Sequence, residues 1–396
     1  VLDPERVGIS TGFWTTRPGS AQEQPDRERE SQPYLETMSK PFILPRITID
    51  YGTVKPGFYF YANEVLDRLL LFGGASVNRL GDTDYFLLFE FAKLRPTLYA
   101  QIYAIQRQVS QEFTYYDYQG VNDLRFNLLE GIVGGRMPLG AHRFWLELSH
   151  SRYNEQITQR VGSLSGALPS FPYFIGTNLS IRWQFSTRRP EYGGNMFPTK
   201  GYEVEMELRG EKNDLIGDFG INEDYGTFRP IFVANNTLRM TLNFKKYIAL
   251  HRRAKIAAVY EVKLGWLSNP ALDDFFHFFG GGPPGLRGYT YYDSTAQGPN
   301  FMVHTVTLRV PVFLERHIPL WQLTLQNVSI GLVAQYGDAF SGSWLRHDYK
   351  SSAGIELRLG GHSFYVFPFA LTYEIHRPVG GHRKQYRQFV SLLFDF

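Results

Sequence analysis

One arginine, Arg287, stands between Leu286 and Gly288 near the end of Phe278-Phe279-Gly280-Gly281-Gly282-Pro283-Pro284-Gly285-Leu286-Arg287-Gly288-Tyr289. A guanidinium is a planar fork of donors that seeks carboxylates, best in a two-bond geometry. Glycine and proline make the surrounding segment, roughly 268–300, a stiff and turn-rich loop. Hydrogen bonds to a charged group contribute ~1.5–3 kcal/mol each, so two or three converging on one guanidinium can hold a loop in place. The chemistry these residues predict is anchoring rather than bond making. The expectation is a loop folded back into the lumen of a membrane β-barrel and held there by Arg287.

Other reactive patterns are absent or weak. Gly280–Gly285 resembles a phosphate cradle, but no Lys-Ser/Thr follows and prolines remove amide donors. The chain has neither a GxSxG elbow nor an HExxH pair, so no covalent catalysis is expected. Ten histidines are scattered. His376 and His382 read as polar lumen or loop groups, because no third ligand is patterned near them. No metal and no cofactor is expected. Asn178, Asn235 and Asn327 open glycosylation-type triplets, a weak pattern on its own.

The positioning elements must be strands. The chain has 396 residues, net charge +3, no cysteine, 38 Gly, 25 Tyr, 32 Phe and 6 Trp. That mix favours strands, tight turns and ring belts over helices. No apolar run of about 18 residues exists, which argues against a helical membrane span. A slightly negative mean hydropathy is compatible with a membrane barrel, since half of each strand faces water. The small net charge selects no anionic partner, and no nucleic-acid partner is expected.

Residues 1–44 carry a charged run, Gln22 to Glu30, several prolines and little periodicity; they read as a periplasmic linker or tail. From 45 onward alternation takes over. Tyr202, Val204, Met206 and Leu208 interleave with Glu203, Glu205, Glu207 and Arg209. Leu238, Met240, Leu242 and Phe244 interleave with Arg239, Thr241, Asn243 and Lys245. One face is apolar and the other charged, at period two. The inward charges, among them Arg182 and Lys263, read as solvation of a wet lumen; a selectivity lining or polypeptide path is the functional alternative. Many strands run to ten residues or more, the length a tilted membrane-spanning strand needs.

The pattern predicts sixteen strands, at about 45–52, 57–63, 68–79, 83–94, 97–108, 120–138, 141–158, 172–189, 200–212, 229–248, 254–267, 301–315, 327–340, 349–362, 365–379 and 386–396. Connections such as 109–119, 159–171, 213–228 and 268–300 are then external and long. Those at 64–67, 95–96, 139–140 and 363–364 are periplasmic and short. The last strand places Val390, Leu392, Phe394 and Phe396 on one face, and a terminal aromatic is similar to the recognition signal of bacterial outer-membrane proteins.

Gly281-Gly282 followed by Leu286-Arg287-Gly288-Tyr289 resembles the GG…(L/V)RG(F/Y) signature of the BamA-type superfamily, the bacterial surface antigen family. Leu308-Arg309-Val310-Pro311 looks like its ELRxP segment, Gly331 to Phe340 like its FxDxG strand, and Ser352 to Arg358 like the strand after it. The likeness covers about 275–396 in motif and 45–270 in architecture. It implies a sixteen-stranded antiparallel outer-membrane barrel, with the loop between strands 11 and 12. Thr307 stands where the family has a glutamate, and Gln335 where it has the aspartate that pairs with the loop arginine. By alternation Gln335, Glu356, Arg358 and Glu374 point inward. Candidate partners of Arg287 are therefore Glu356, Glu374 and Gln335, with Asp338 near the strand end.

The resemblance also implies a function: inserting or translocating polypeptides at the bacterial outer membrane through a lateral seam between first and last strands. Client polypeptides, outer-membrane lipids and periplasmic domains or lipoproteins would be the partners. Two alternatives stand beside it. The barrel is an anchor or export pore for an absent periplasmic domain of TolB-like propeller or patatin-like type, or it is a passive porin.

Overall fold

The computed structural model describes residues 34, 37–50, 53–115, 118–161, 164–167, 170–188, 198–221, 226–251, 253–291, 296–363, 367–380 and 386–394. The chain divides into two units, Val1–Thr37 and Met38–Phe396. Of the expected tail, 1–44, residues 1–33, 35 and 36 lie outside the described residues.

The second unit is built from β1 (Phe42–Asp50), β2 (Thr53–Asn63), β3 (Leu69–Val77), β4 (Thr83–Phe91), β5 (Thr97–Tyr115), β6 (Tyr118–Leu139), β7 (His142–Val161), β8 (Leu164–Ala167), β9 (Phe171–Ser186), β10 (Gly201–Ile221), β11 (Phe228–Ala234), β12 (Thr237–His251), β13 (Ile256–Leu267), β14 (Phe278–Phe279), β15 (Gln297–Gly298), β16 (Asn300–Phe313), β17 (Ile318–Leu320), β18 (Leu323–Phe340), β19 (Lys350–Ser363), β20 (Phe367–Val379) and β21 (Arg387–Phe394). Each long strand pairs antiparallel with the next. The ladder runs from β1 through β7, then β9, β10, β12, β13, β16, β18, β19, β20 and β21. The short strands β8, β11 and β17 fold back on their neighbours, and β14 pairs β15 within the loop. Among the described residues, no pairing joins β1 to β21.

Burial along these strands is inverted relative to a water-soluble fold. Leu332 and Ile355 are 57% and 55% exposed, while Gln335 and Glu356 are 4% and 3% exposed. Greasy side chains that point at the surroundings, strand after strand, need hydrocarbon there; buried polar ones need each other. The sheet curls on itself: side chains from β10, β12, β13, β16, β19, β20 and β21 line one polar cavity of about 280 Å³.

Several strand limits differ from those read off the alternation. The first strand begins at Phe42 rather than 45, since Pro45 is accommodated on an edge strand and pairs in register with Phe58. The expected loop 109–119 is a hairpin, with Val109 to Tyr115 still paired to β6. At 159–171 and 213–228 the strands also run on, and β8 and β11 turn back along them. Backbone pairing above a membrane needs no hydrophobic alternation, so period two fades before the strand does. The expected strand 229–248 is broken at Asn235. Its amide N–H donates to Asn213 O at 2.6 Å and its side chain donates to Val233 O at 3.0 Å, turning the chain back.

Candidate functional site

The loop leaves the ladder after β13 and returns at β16, and it is internally tied. Asp273 caps a short 3₁₀ turn, Asp274–Phe276, by accepting from Phe275 N at 2.9 Å. Phe276 and Leu272 pack against Phe174 and Leu267. Beyond β14 the glycine-rich stretch folds tightly. Leu286 N donates to Gly280 O at 2.7 Å, Gly282 N donates to Tyr289 O at 3.0 Å, and Gly280 N donates to Ala296 O at 2.5 Å. Gly282 has φ +75°, a left-handed conformation that a side chain would strain. Leu286 is fully buried under Phe301, Val303 and Ala339 of β16 and β18. The flanking apolar residue thereby sets the height at which Arg287 meets the wall.

Two strands, β18 and β20, hold Arg287 itself. Arg287 Nη1 lies 2.7 Å from Glu374 Oε2 on β20. His376, two residues on and on the same face, places Nε2 at 2.8 Å from the same oxygen. Gln335 of β18 holds the backbone on either side: Arg287 N donates to its Oε1 at 2.8 Å, and its Nε2 donates to Gly285 O at 2.9 Å. The amide is itself oriented, since Ser352 Oγ donates to Oε1 at 2.9 Å and Nε2 also reaches Thr305 Oγ1 at 3.2 Å. Farther along, Tyr289 Oη donates to Ser351 O at 3.4 Å, and Lys263 Nζ of β13 donates to Pro284 O at 3.0 Å.

The structure thus brings Glu374 and Gln335 to the loop and sends the other two candidates elsewhere. Glu356 is not a partner of Arg287. It accepts from Arg309 Nε at 2.9 Å and from Arg309 Nη2 at 3.2 Å. The residue between them in register is Gly331, which has no side chain to block Arg309. Asp338 is not a partner either: it meets His347 Nε2 at 2.8 Å and Lys350 Nζ at 3.0 Å near the top of β18. His376, Ser352 and Lys263 are parts of the clamp that sequence reasoning did not assign to it. The signal for His376 was its i,i+2 relation to Glu374. Of the expected C-terminal signal, the backbone of Leu392 and Phe394 pairs with Leu371 and Phe369. Their side chains, and Phe396, lie outside the described residues.

Gln335 suits the loop backbone it meets. The loop offers one backbone donor and one backbone acceptor, and an amide matches both, whereas a carboxylate accepts only. Replacing Gln335 with Ala is expected to lower the unfolding free energy by about 1–3 kcal/mol, because two buried backbone groups lose their partners. Denaturant titration in detergent checks this. Gly288 is the second sensitive position. A Cβ there would sit 2.7 Å from the Arg377 carbonyl carbon and 2.8 Å from Pro378 N. Gly288→Val is expected to lift the loop off β20 and to cost roughly 1–3 kcal/mol by overpacking. Loss of the Arg287–Glu374 contact in a structure of that variant is the direct readout.

No known family profile and no curated protein matches this sequence. Solved structures do match. A BamA structure from Haemophilus ducreyi lacking POTRA domains 1–3 superposes with a TM-score of 0.54 at 13% identity, over 91% of this chain and 71% of that one. CdiB from Escherichia coli gives 0.51 at 10% identity, over 92% of this chain and 64% of its own. CdiB from Acinetobacter baumannii gives 0.50 at 13%, over 91% and 60%. The chain therefore spans less than two thirds of both CdiB structures. What is shared at such identities is the fold, an antiparallel β-barrel.

Proposed function

We propose that this chain is an outer-membrane barrel that inserts or translocates polypeptides, working through a lateral seam between β1 and β21. It is a scaffold that makes and breaks no covalent bonds. The observation that carries the reading is the state of the two ends of the ladder. β1 and β21 are short, 9 and 8 residues, and their outer edges have no described ladder partner in each other. A strand edge in hydrocarbon is costly unless paired, so such an edge is a template for another strand. A client segment adding to β1 would gain main-chain hydrogen bonds by β-augmentation. The clamped loop supports the same reading, since a barrel with its lumen partly filled and its seam thin is better suited to lateral release than to free diffusion. Client polypeptides and lipids of the outer membrane are the partners this implies, with periplasmic domains or lipoproteins delivering the clients.

The test is a set of cysteine pairs placed along β1 and β21, in a chain that has no native cysteine to interfere. Oxidised pairs are expected to abolish client insertion in reconstituted vesicles, and reduction is expected to restore it. Full activity with the seam locked would overturn the proposal. In planar bilayers a small, flickering conductance is expected; a large steady pore would favour a porin instead.

A further inference from the structure

A separate cavity of about 400 Å³ lies between the loop and the wall formed by β10, β12 and β13. That volume falls in the range of small-molecule sites, roughly 300–1,000 Å³. One side is aromatic. Phe279 and Tyr291 stack with centroids 5.7 Å apart, and Phe278 stacks on Phe301 at 5.8 Å. The other side is polar. Asn243 stands in register between Glu205 and Lys263. Lys263 Nζ spends one of its donors on Pro284 O, and an ammonium has three. His277 is 9% exposed, and its Nδ1 meets Asp274 Oδ1 at 3.2 Å. Its Nε2 and Asn243 Oδ1 are buried with no hydrogen-bond partner among the described residues. Buried polar atoms are nearly always bonded, so an orphaned imidazole nitrogen on a cavity wall marks where a ligand atom belongs.

We propose that this cavity binds a monocarboxylate carrying one aromatic ring. The ring lies against Phe279 and Tyr291, and the carboxyl group engages Lys263 and His277 Nε2. A carboxyl oxygen suits that nitrogen in either charge state, since one proton can be shared between them. A bare inorganic anion would leave the rings unused, and a neutral aromatic would leave Lys263 and Nε2 unused. Arg239 is engaged by Glu211 Oε1 at 2.8 Å and by Phe276 O, which leaves Lys263, 3.9 Å from Glu261 Oε1, as the cation that meets the ligand; one ammonium suits a single negative charge and disfavours a dicarboxylate. Occupancy would add one more tie between the loop and the wall to those made through Glu374, Gln335 and Lys263. The proposal stands apart from the seam mechanism and does not need it.

Fluorine NMR of 4-fluorophenylacetate with the detergent-solubilised chain tests it. Saturable line broadening is expected, with competition from N-acetylphenylalanine and none from inorganic phosphate. 4-Fluorophenylacetamide, Lys263→Met and His277→Phe are each expected to weaken binding about tenfold or more. Circular dichroism checks that both variants fold, and either one suffices if the other fails. Equal binding of the amide, unchanged binding to a folded variant, or no saturable effect beyond empty micelles up to about 10 mM would overturn the proposal.

Discussion

Replacing Arg287 with Met is expected to release the loop and to lower stability by about 3–5 kcal/mol, the range for breaking one side of a buried ion pair. The cost comes less from the lost attraction than from what remains. Glu374 sits in the lumen wall with 12% of its side chain exposed, and it would lose its guanidinium partner and keep the hydrogen bond with His376. It also stands directly opposite Glu356 in register, so a second carboxylate faces it across the strands. Like charges opposed on adjacent strands are destabilising. Two measurements check this. Denaturant unfolding in detergent gives the stability loss, and limited proteolysis is expected to cut within the loop. Glu374→Gln in the Arg287→Met background is expected to recover part of the loss, because the orphaned charge is gone. If the double variant loses the sum of the two single losses, the pair is not coupled and the clamp does not work this way.

Glu356→Ala is expected to cost a similar ~3–5 kcal/mol by the same physics, with a different consequence. Glu356 is 3% exposed and receives both bonds of the Arg309 fork. Removing it strands a buried guanidinium between β16 and β19. The loop, however, is tied through Gln335 and Glu374. Protease resistance of the loop should therefore survive at denaturant concentrations where the fold does. The contrast separates two roles that alternation alone could not tell apart: one carboxylate holds the loop, and its cross-strand neighbour holds the wall. Loop cleavage in Glu356→Ala as fast as in Arg287→Met would mean that the two pairs act as one network.

Which side chains face the lumen was legible at the outset. Side-chain direction in a strand follows from the backbone and alternates every residue, so Gln335, Glu356 and Glu374 could be placed inward without knowing any neighbour. That the Arg287 guanidinium would meet an inward carboxylate was equally legible, since a guanidinium is a fork of donors that seeks one. The strand ends were less so, because pairing continues past the hydrocarbon into residues such as Gln111 and Glu112 that carry no apolar rhythm.

The choice of Glu374 over Glu356 belonged to the tertiary structure alone. Three separate facts decide it: the depth at which buried Leu286 seats the loop, the missing side chain at Gly331 over which Arg309 and Glu356 meet, and the bare Gly288 that lets the loop touch Arg377 and Pro378. Each joins residues tens of positions apart in the chain. Facing is a local property of a strand, whereas pairing depends on distances that exist only once the sheet has curled and the loop has entered it.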